Sequence, residues 1–234
     1  MTTDQVLASL QELSNPAIAE HSARFFKTGK GQYGEGDKFL GIRVPQVRAV
    51  VKQYKSLPLP EISTLLHNEY HEVRLCALLM LVTRFKRKHS SEQQAIFDCY
   101  MENLDQVNNW DLVDSSAHPI LGGHLFDKDR QLLYHLVQSR NLWHRRIAII
   151  TTYYFIKCGD FTDTLALSKT LLADHHDLIH KAVGWMLREV GKKDHDVEYQ
   201  FLKQHYKAMP RTMLRYAIEK FPAETRAQFL AGTL

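Results

Sequence analysis

One short segment combines residue types suited to handling positive charge. In Asn108-Asn109-Trp110-Asp111-Leu112-Val113-Asp114, Trp110 and Asp114 are four apart and therefore share one face of a helix. Asp111 is offset from them and belongs in the first turn, where a negative charge favours the helix N-terminus. A carboxylate buried unpaired beside an aromatic ring is costly. The pairing makes sense where a cation, or a cation developing during a reaction, must be held. Two later segments carry the other tryptophans with clustered cations. Asn141-Leu142-Trp143-His144-Arg145-Arg146-Ile147-Ala148 supplies Arg145 and Arg146, and Lys181-Ala182-Val183-Gly184-Trp185-Met186-Leu187-Arg188-Glu189 supplies Lys181, Trp185 and Arg188. Trp143 reads as core packing.

The elements that must position these residues are helices almost throughout. Asn15-Pro16 is an N-cap followed by proline at the first helical position, predicting a helix over 16–28, and Val44-Pro45 opens the next. Pro60-Glu61 begins a short helix. Further helices are expected over 72–85, 91–102, 109–117, 129–139, 142–156, 162–172, 177–191, 194–206, 210–221 and 222–230. The β-branched run Ile149-Ile150-Thr151-Thr152 has the local character of a strand, but its surroundings have helical periodicity. One loop interrupts the rhythm: four glycines fall within 29–38, which is open to reading as a plain surface turn or as a DNA-contacting loop.

An internal repeat organises the chain. Arg74-Leu75-Cys76-Ala77, Arg145-Arg146-Ile147-Ala148, Ile179-His180-Lys181-Ala182 and Leu214-Arg215-Tyr216-Ala217 each lead into an apolar run. Ala148, Ala182 and Ala217 are spaced by 34 and 35 residues, and Ala77 precedes Ala148 by 71, two such periods. Two helices per unit with a small residue at a tight crossing predict an all-α fold: a HEAT-like repeat α-solenoid forming one domain, residues 1–234. The inner helices of such a stack would carry Arg145, Arg146, Lys181, Arg188, Arg211 and Arg215, with Arg43, Arg48 and Lys52 near the N-terminal end. Recurrence of cations at one register predicts a basic concave face complementary to phosphates along DNA. In this registration Trp110, Asp114 and Arg146 fall in one narrow sector, and Trp185 does not.

Composition narrows the class. The 234 residues carry 30 Lys and Arg against 26 Asp and Glu, a net charge of +4, so the distribution of charge matters more than its excess. Cys76, Cys99 and Cys158 are scattered and form no C-x-x-C pair, as in a reduced, cytoplasmic protein. There is no signal-like start and no apolar run of spanning length, so no membrane association is expected. His67/His71 and His176/His180 have the helical spacing of metal ligands but lack a third ligand, so no metal is expected.

Taken together, Trp110-Asp111-Leu112-Val113-Asp114, Arg145-Arg146-Ile147-Ala148-Ile149, Lys181 to Glu189 and Pro210-Arg211-Thr212-Met213-Leu214-Arg215-Tyr216-Ala217 resemble the DNA alkylation repair enzymes of the AlkD type. Phe39-Leu40-Gly41-Ile42-Arg43-Val44-Pro45, with Arg48, is similar to the family's N-terminal segment. The resemblance covers nearly the whole chain in the family's order. It implies hydrolytic removal of N3- and N7-alkylated purines from duplex DNA by a monomer, without metal or cofactor. The family's catalytic carboxylate matches Asp114, its paired tryptophans Trp110 and Trp185, and its backbone-holding arginine Arg146. Lys181 reads as a backbone contact or an exposed surface residue. The chain departs from the best-understood members in its longer glycine-rich loop. Two other functions compete: a catalytically silent binder of distorted or branched DNA, which needs the basic groove but not Asp114, and a protein-binding scaffold, which needs neither.

Overall fold

Capping side chains and prolines set where the helices begin. The computed structural model describes residues 1–87 and 92–234. Asn15 accepts a hydrogen bond from the Ile18 N–H at 3.1 Å, and Pro16 follows it as the first residue of a helix. Asp194 does the same for Val197 at 3.1 Å, while Asn141 accepts from the Trp143 N–H at 2.9 Å. The resulting helices of the first half are α1 (Thr3–Gln11), α2 (Pro16–Phe25), α3 (Val44–Gln53), α4 (Leu59–Leu66), α5 (His71–Phe85), α6 (Gln93–Glu102) and α7 (Trp110–Ala117). A π-helical turn, His118–Gly122, where Pro119 removes a donor from the ladder, leads to the short α8 (Gly123–Leu125). Then follow α9 (Gln131–Leu136), α10 (Leu142–Lys157), α11 (Thr162–Thr170), α12 (Asp177–Gly191), α13 (His195–His205), α14 (Arg211–Ala217) and α15 (Ala223–Ala231).

The all-α expectation holds: among the described residues there is no strand, only a lone parallel bridge between Lys38 and Tyr70. The run 149–152 lies inside α10. Helix α12 has the expected bounds, whereas α1 was not anticipated and α9 is shorter than expected. The expected start at Ser91 lies outside the described residues. None of the described helices is long and apolar enough to cross a membrane.

The helices gather into two compact units, Met1–Ile120 and Leu121–Leu234. In the first, α5 is the hub against which α3, α4, α6 and α7 pack. Every residue from 71 to 82 is buried, including His71, Glu72 and Arg74, so these three polar side chains need partners within the protein. In the second unit α10, α12 and α14 pack side by side, with α9 against α10 and with α11 and α13 against α12. Ala148, Ala182 and Ala217 are fully buried. Helix α12 meets α14 most closely at Gly184, where a Cβ would lie 2.4 Å from the Met213 carbonyl oxygen and 2.5 Å from the Tyr216 Cβ. Helices α12 and α14 can come this close only because residue 184 has no side chain.

The second unit also buries a carboxyl group. Glu198 on α13 is 3% exposed, its Oε1 has no hydrogen-bond partner, and Arg188 is the cation acting on it. Burial pushes its pKa from 4.5 up to about 8, against the opposing pull of Arg188. The folded protein thus holds a proton that the unfolded chain releases, and stability falls as pH rises from 4.5 through 8. Glu198→Gln, which mimics the neutral acid, is expected to flatten this decline and to raise Tm at pH 8.5 by about 4 °C or more. Thermal melts between pH 4 and 9 test this, and parallel curves for the two proteins would refute it.

Candidate functional site

Helix α7 begins in a buried cluster of charge. Asn109 is fully buried, and its Oδ1 accepts a hydrogen bond from the Trp110 N–H at 2.8 Å, fixing the start of the helix. Asp111 stands in the first turn, as its spacing predicts. Its Oδ2 lies 2.8 Å from His71 Nε2 at the start of α5. The other ring nitrogen, His71 Nδ1, lies 2.9 Å from Asp37 Oδ2, on the loop before α3. Arg74 donates to Asp37 Oδ1 at 2.6 Å and to Asn108 Oδ1 at 3.2 Å. Loop, α5 and α7 are thereby joined through two carboxylates, an imidazole and a guanidinium.

The electrostatics follow from burial and pairing. Burial alone would lower the His71 pKa, but the hydrogen bonds and charges of Asp111 and Asp37 outweigh it and raise it from 6.5 to about 9. Burial alone would raise the Asp37 pKa, yet the His71 hydrogen bond and the Arg74 charge hold it below the ordinary carboxylate value. The same turn of α5 anchors backbone: Glu72 accepts from the N–H groups of Leu40, Gly41 and Ile42 at 2.8–3.1 Å. The glycine-rich loop is accordingly tied down, with Gly34 donating to the Lys27 carbonyl at 3.1 Å and Gly36 to that of Thr28 at 3.3 Å. Gly34 is buried, and a Cβ there would fall 2.5 Å from the Phe26 carbonyl oxygen.

Above this cluster lies an aromatic stack. Phe39 and Phe26 both pack on the His71 ring, with centroids at 4.7 and 4.9 Å. Phe26 in turn stacks on Trp110 at 5.3 Å and 21°, and Phe25 meets Trp110 edge-on at 6.0 Å. Phe25 is 56% exposed and Val44 45%, which is unusual for large apolar side chains. A groove of about 700 Å³, lined by Ile18, His21, Phe26, Ile42, Arg43 and Val44 among others, runs between α2 and the start of α3. Arg43, on its lining, and Arg48 are exposed and make no ion pair among the described residues. Trp110 and Asp114 are half-buried on α7.

The remaining anticipated residues belong to the second unit. Trp185 packs on Tyr153 at 5.7 Å, and its indole N–H donates to Glu189 Oε1 at 3.0 Å. Arg146 is 5% exposed and donates to the Leu178 carbonyl. Arg145 donates to Asp174 Oδ2 at 2.6 Å and to the carbonyls of Ser139 and Arg140, both at 3.0 Å. Arg74 does the equivalent in its own repeat, donating to the carbonyls of Asn68 and Glu69 at 3.0 and 3.2 Å. In both cases the acceptors are the residues six and five positions before the arginine. The recurring arginine therefore has a structural reason: it satisfies the carbonyls of the turn that enters its helix. Lys181 pairs with Asp177 at 2.7 Å, and Arg188 with Glu219. Arg211 donates to the Leu230 carbonyl at 2.7 Å, while Arg215 is exposed without an ion pair among the described residues. The paired histidines have other tasks: His176 accepts from the Leu178 N–H at 3.1 Å as the cap of α12, and His67 Nδ1 lies 3.0 Å from the Ser63 carbonyl.

Sequence spacing did not reveal Asp37, His71 or the Phe25-Phe26-Phe39 stack as parts of this site. The available signals were the adjacent phenylalanines ahead of the loop and a histidine beside the repeat arginine Arg74.

An all-helical protein with this arrangement can be set beside known ones. The model of the DNA alkylation repair enzyme family matches residues 6–221. A solved structure, a predicted DNA alkylation repair enzyme from Enterococcus faecalis, is similar to the chain with a TM-score of 0.71. It is 18% identical, and the match covers 90% of this chain and 97% of that one. No curated protein matches the chain. The chain belongs to the DNA alkylation repair enzyme family, and its function lies in DNA repair.

His71 makes a measurable contribution to stability. The folded protein keeps the imidazole proton up to about pH 9, whereas the unfolded chain releases it near 6.5. The stabilisation is therefore complete below pH 6.5 and is lost as pH rises through 9. His71→Gln, which leaves two aspartates without their shared cation, is expected to cost about 3 kcal/mol at pH 6 and to flatten the decline above pH 6.5. Urea titrations at pH 6, 7.5 and 9 measure this, and an undiminished slope in the variant would show the ring to be uncharged.

Proposed function

We propose that this protein is a monofunctional alkylpurine DNA glycosylase. It hydrolyses the N-glycosidic bond of cationic N3- and N7-alkylated purines in duplex DNA, without metal or cofactor, and Asp114 is its catalytic carboxylate. The observation that carries the reading is the mounting of Trp110 and Asp114 on one short helix. That helix is braced by buried charge and an aromatic stack, in a chain of the DNA alkylation repair enzyme family.

The chemistry follows from the leaving group. Alkylation at N3 or N7 makes the purine cationic, so the base departs neutral with the glycosidic electron pair and leaves oxocarbenium character on the deoxyribose. A carboxylate at ~4 Å, with an effective dielectric near 20, contributes about 4 kcal/mol. Felt only in the transition state, that is roughly a thousandfold in rate. Water then adds to the sugar carbon, and Asp114 orients it and accepts its proton. The faces of Trp110 and Trp185 attract the same positive charge, and Arg146 holds the adjacent phosphate. The roles of Trp185 and Arg146 rest on the resemblance to the AlkD type.

The helix pairs are taken to stack as a HEAT-like solenoid whose basic face receives the duplex as a monomer. Arg43, Arg48 and Arg215, exposed and without an ion pair among the described residues, are the strongest phosphate contacts, and Lys181, Arg188 and Arg211 join them by exchanging internal partners. Arg145 belongs to the same face, close to its repeat turn.

Duplex affinity is expected to fall steeply with salt, because each neutralised phosphate releases counterions. The combined Arg43→Ala and Arg48→Ala variant should lower the magnitude of the log–log slope by about 2. A salt-independent affinity would instead favour a protein-binding scaffold.

The sharper test is Asp114→Asn. Asn nearly keeps the shape but carries no charge, so fold and DNA affinity should persist while release of 7-methylguanine falls by about two to three orders of magnitude. Uracil and hypoxanthine, whose departure needs protonation, should not be released. A variant as active as the parent would remove Asp114 from the mechanism. Binding without release by the parent would favour the catalytically silent DNA binder.

A further inference from the structure

The buried cluster beneath α7 has a geometry that admits one charge state. Both ring nitrogens of His71 face carboxylate oxygens, at 2.9 Å to Asp37 and 2.8 Å to Asp111. A neutral imidazole has one N–H and one lone pair, so one of these contacts would set a lone pair against an anion. Only the imidazolium donates to both. Asp37 stays ionised because Arg74 also holds it at 2.6 Å, and Asp111 stands in the first turn of α7. The dependence of Asp111 on His71 is complete: His71 is its sole hydrogen-bond donor among the described residues, and its Oδ1 is buried without a partner.

The remaining charges around His71 are engaged elsewhere or exposed. On its own helix, Glu72 accepts from three backbone amides. On the loop, Lys38 pairs with Glu69 at the surface. The cations Arg43, Arg48 and Lys52 of α3, His67 of α4, and Asp98 and Glu102 of α6 are exposed, and Glu61 of α4 holds Thr3. On α7 the other acid is Asp114, three residues beyond Asp111. Glu20, His21 and Arg24 of α2 are exposed, and Phe26, just past its end, presents its ring.

We propose that His71 is a positioning residue for the excision reaction: as an imidazolium it clamps Asp111 to Asp37, fixes the first turn of α7, and thereby aims Trp110 and Asp114. Loss of its proton opens the clamp at one of its two ends, loosens that turn and sets the alkaline limit of activity. This rests on the glycosylase reading above but concerns residues that need not touch DNA. The clamp explains why a buried histidine is enclosed by two aspartates and covered by Phe26 and Phe39. Neutralised, it would keep one N–H for two aspartates, so one of the two contacts would set a lone pair against a carboxylate and the tie between Asp37 and Asp111 would break.

The test uses the full-length protein and two variants, Asp111→Asn and His71→Gln. Imidazole nitrogen shifts followed by NMR from pH 5.5 to 10.5 report the protonation of His71 without substrate, and the backbone amides of α7 report the helix start. Release of 7-methylguanine from methylated duplex is followed in short single-turnover reactions over the same range, with enzyme-free release subtracted. In the parent, the amides of α7 should shift with the His71 titration, and release should fall about tenfold per pH unit beyond it. In Asp111→Asn the titration and the alkaline limb should both move to lower pH by about one unit or more, with the maximal rate down about tenfold and DNA affinity within about twofold. A merely structural role would lower the amount of folded protein and leave the limb in place. If His71→Gln does not fold, Asp111→Asn and the titration of the parent still decide the matter. An alkaline limb that stays put in Asp111→Asn, or α7 amides blind to the His71 titration, overturns the clamp while leaving the glycosylase reading intact. Absence of release at every pH overturns the glycosylase reading, and the titration with its effect on α7 then decides the clamp alone.

Discussion

Burying His71, Glu72 and Arg74 in the first turn of α5 imposes a constraint that shapes the rest of the first unit. Each of these side chains must find its partner inside the protein, and each recruits a different stretch of chain. His71 draws in Asp37 and Asp111, Arg74 draws in Asp37 and the turn at 68–69, and Glu72 takes the amides of 40–42. The segment between α2 and α3, rich in glycine and without regular structure, is thus held at both its acidic end and its backbone. Removing any one charge would strand others, since breaking a buried pair is far costlier than never having built it. The cluster specifies where α7 starts, and α7 carries the two residues on which the proposed chemistry turns.

The second unit solves a different problem, the close stacking of α10, α12 and α14. Small residues make this possible, with Gly184 setting the nearest approach. Such stacking leaves the turns between helices with unsatisfied carbonyls, and the repeat arginine answers them. Arg74 and Arg145 reach back to carbonyls five and six residues earlier and end on an aspartate from another segment. A cation recurring at one register can thus be a device of the fold as well as a contact for phosphate.

Much of this was legible in the sequence because it is local. Asn15-Pro16, Asn109 and Asn141 declare helix starts through hydrogen bonds spanning three residues or fewer, and α12 emerges with the bounds its periodicity implies. The alanine spacing likewise picked out buried positions, since period and burial are two expressions of one geometry, while the close crossing of α12 and α14 falls at Gly184 instead. Helix α1 went unseen because its opening, Thr3-Asp4-Gln5, carries no apolar residue to set a period, although Thr2 and Gln5 form a local capping box. The charge cluster was hidden by distance along the chain. Asp37 and Asp111 stand 34 and 40 residues from His71, and no spacing rule on one helix connects them.

The glycine-rich loop shows how a correct local reading can still miss its purpose. Four glycines within 29–38 do let the backbone turn, and Gly34 permits an approach to the Phe26 carbonyl that no other residue could make. That freedom serves to deliver Asp37 to a buried place rather than to leave the loop loose. Flexibility in the unfolded chain becomes precision in the folded one when the loop ends in a charge that must be paired. A carboxylate brought in this way can hold a histidine against a second aspartate, and through it can govern a helix that shares no covalent neighbourhood with the loop. Function in this protein is therefore prepared at a distance in sequence from the residues that would carry it out, by the requirement that buried charge be answered.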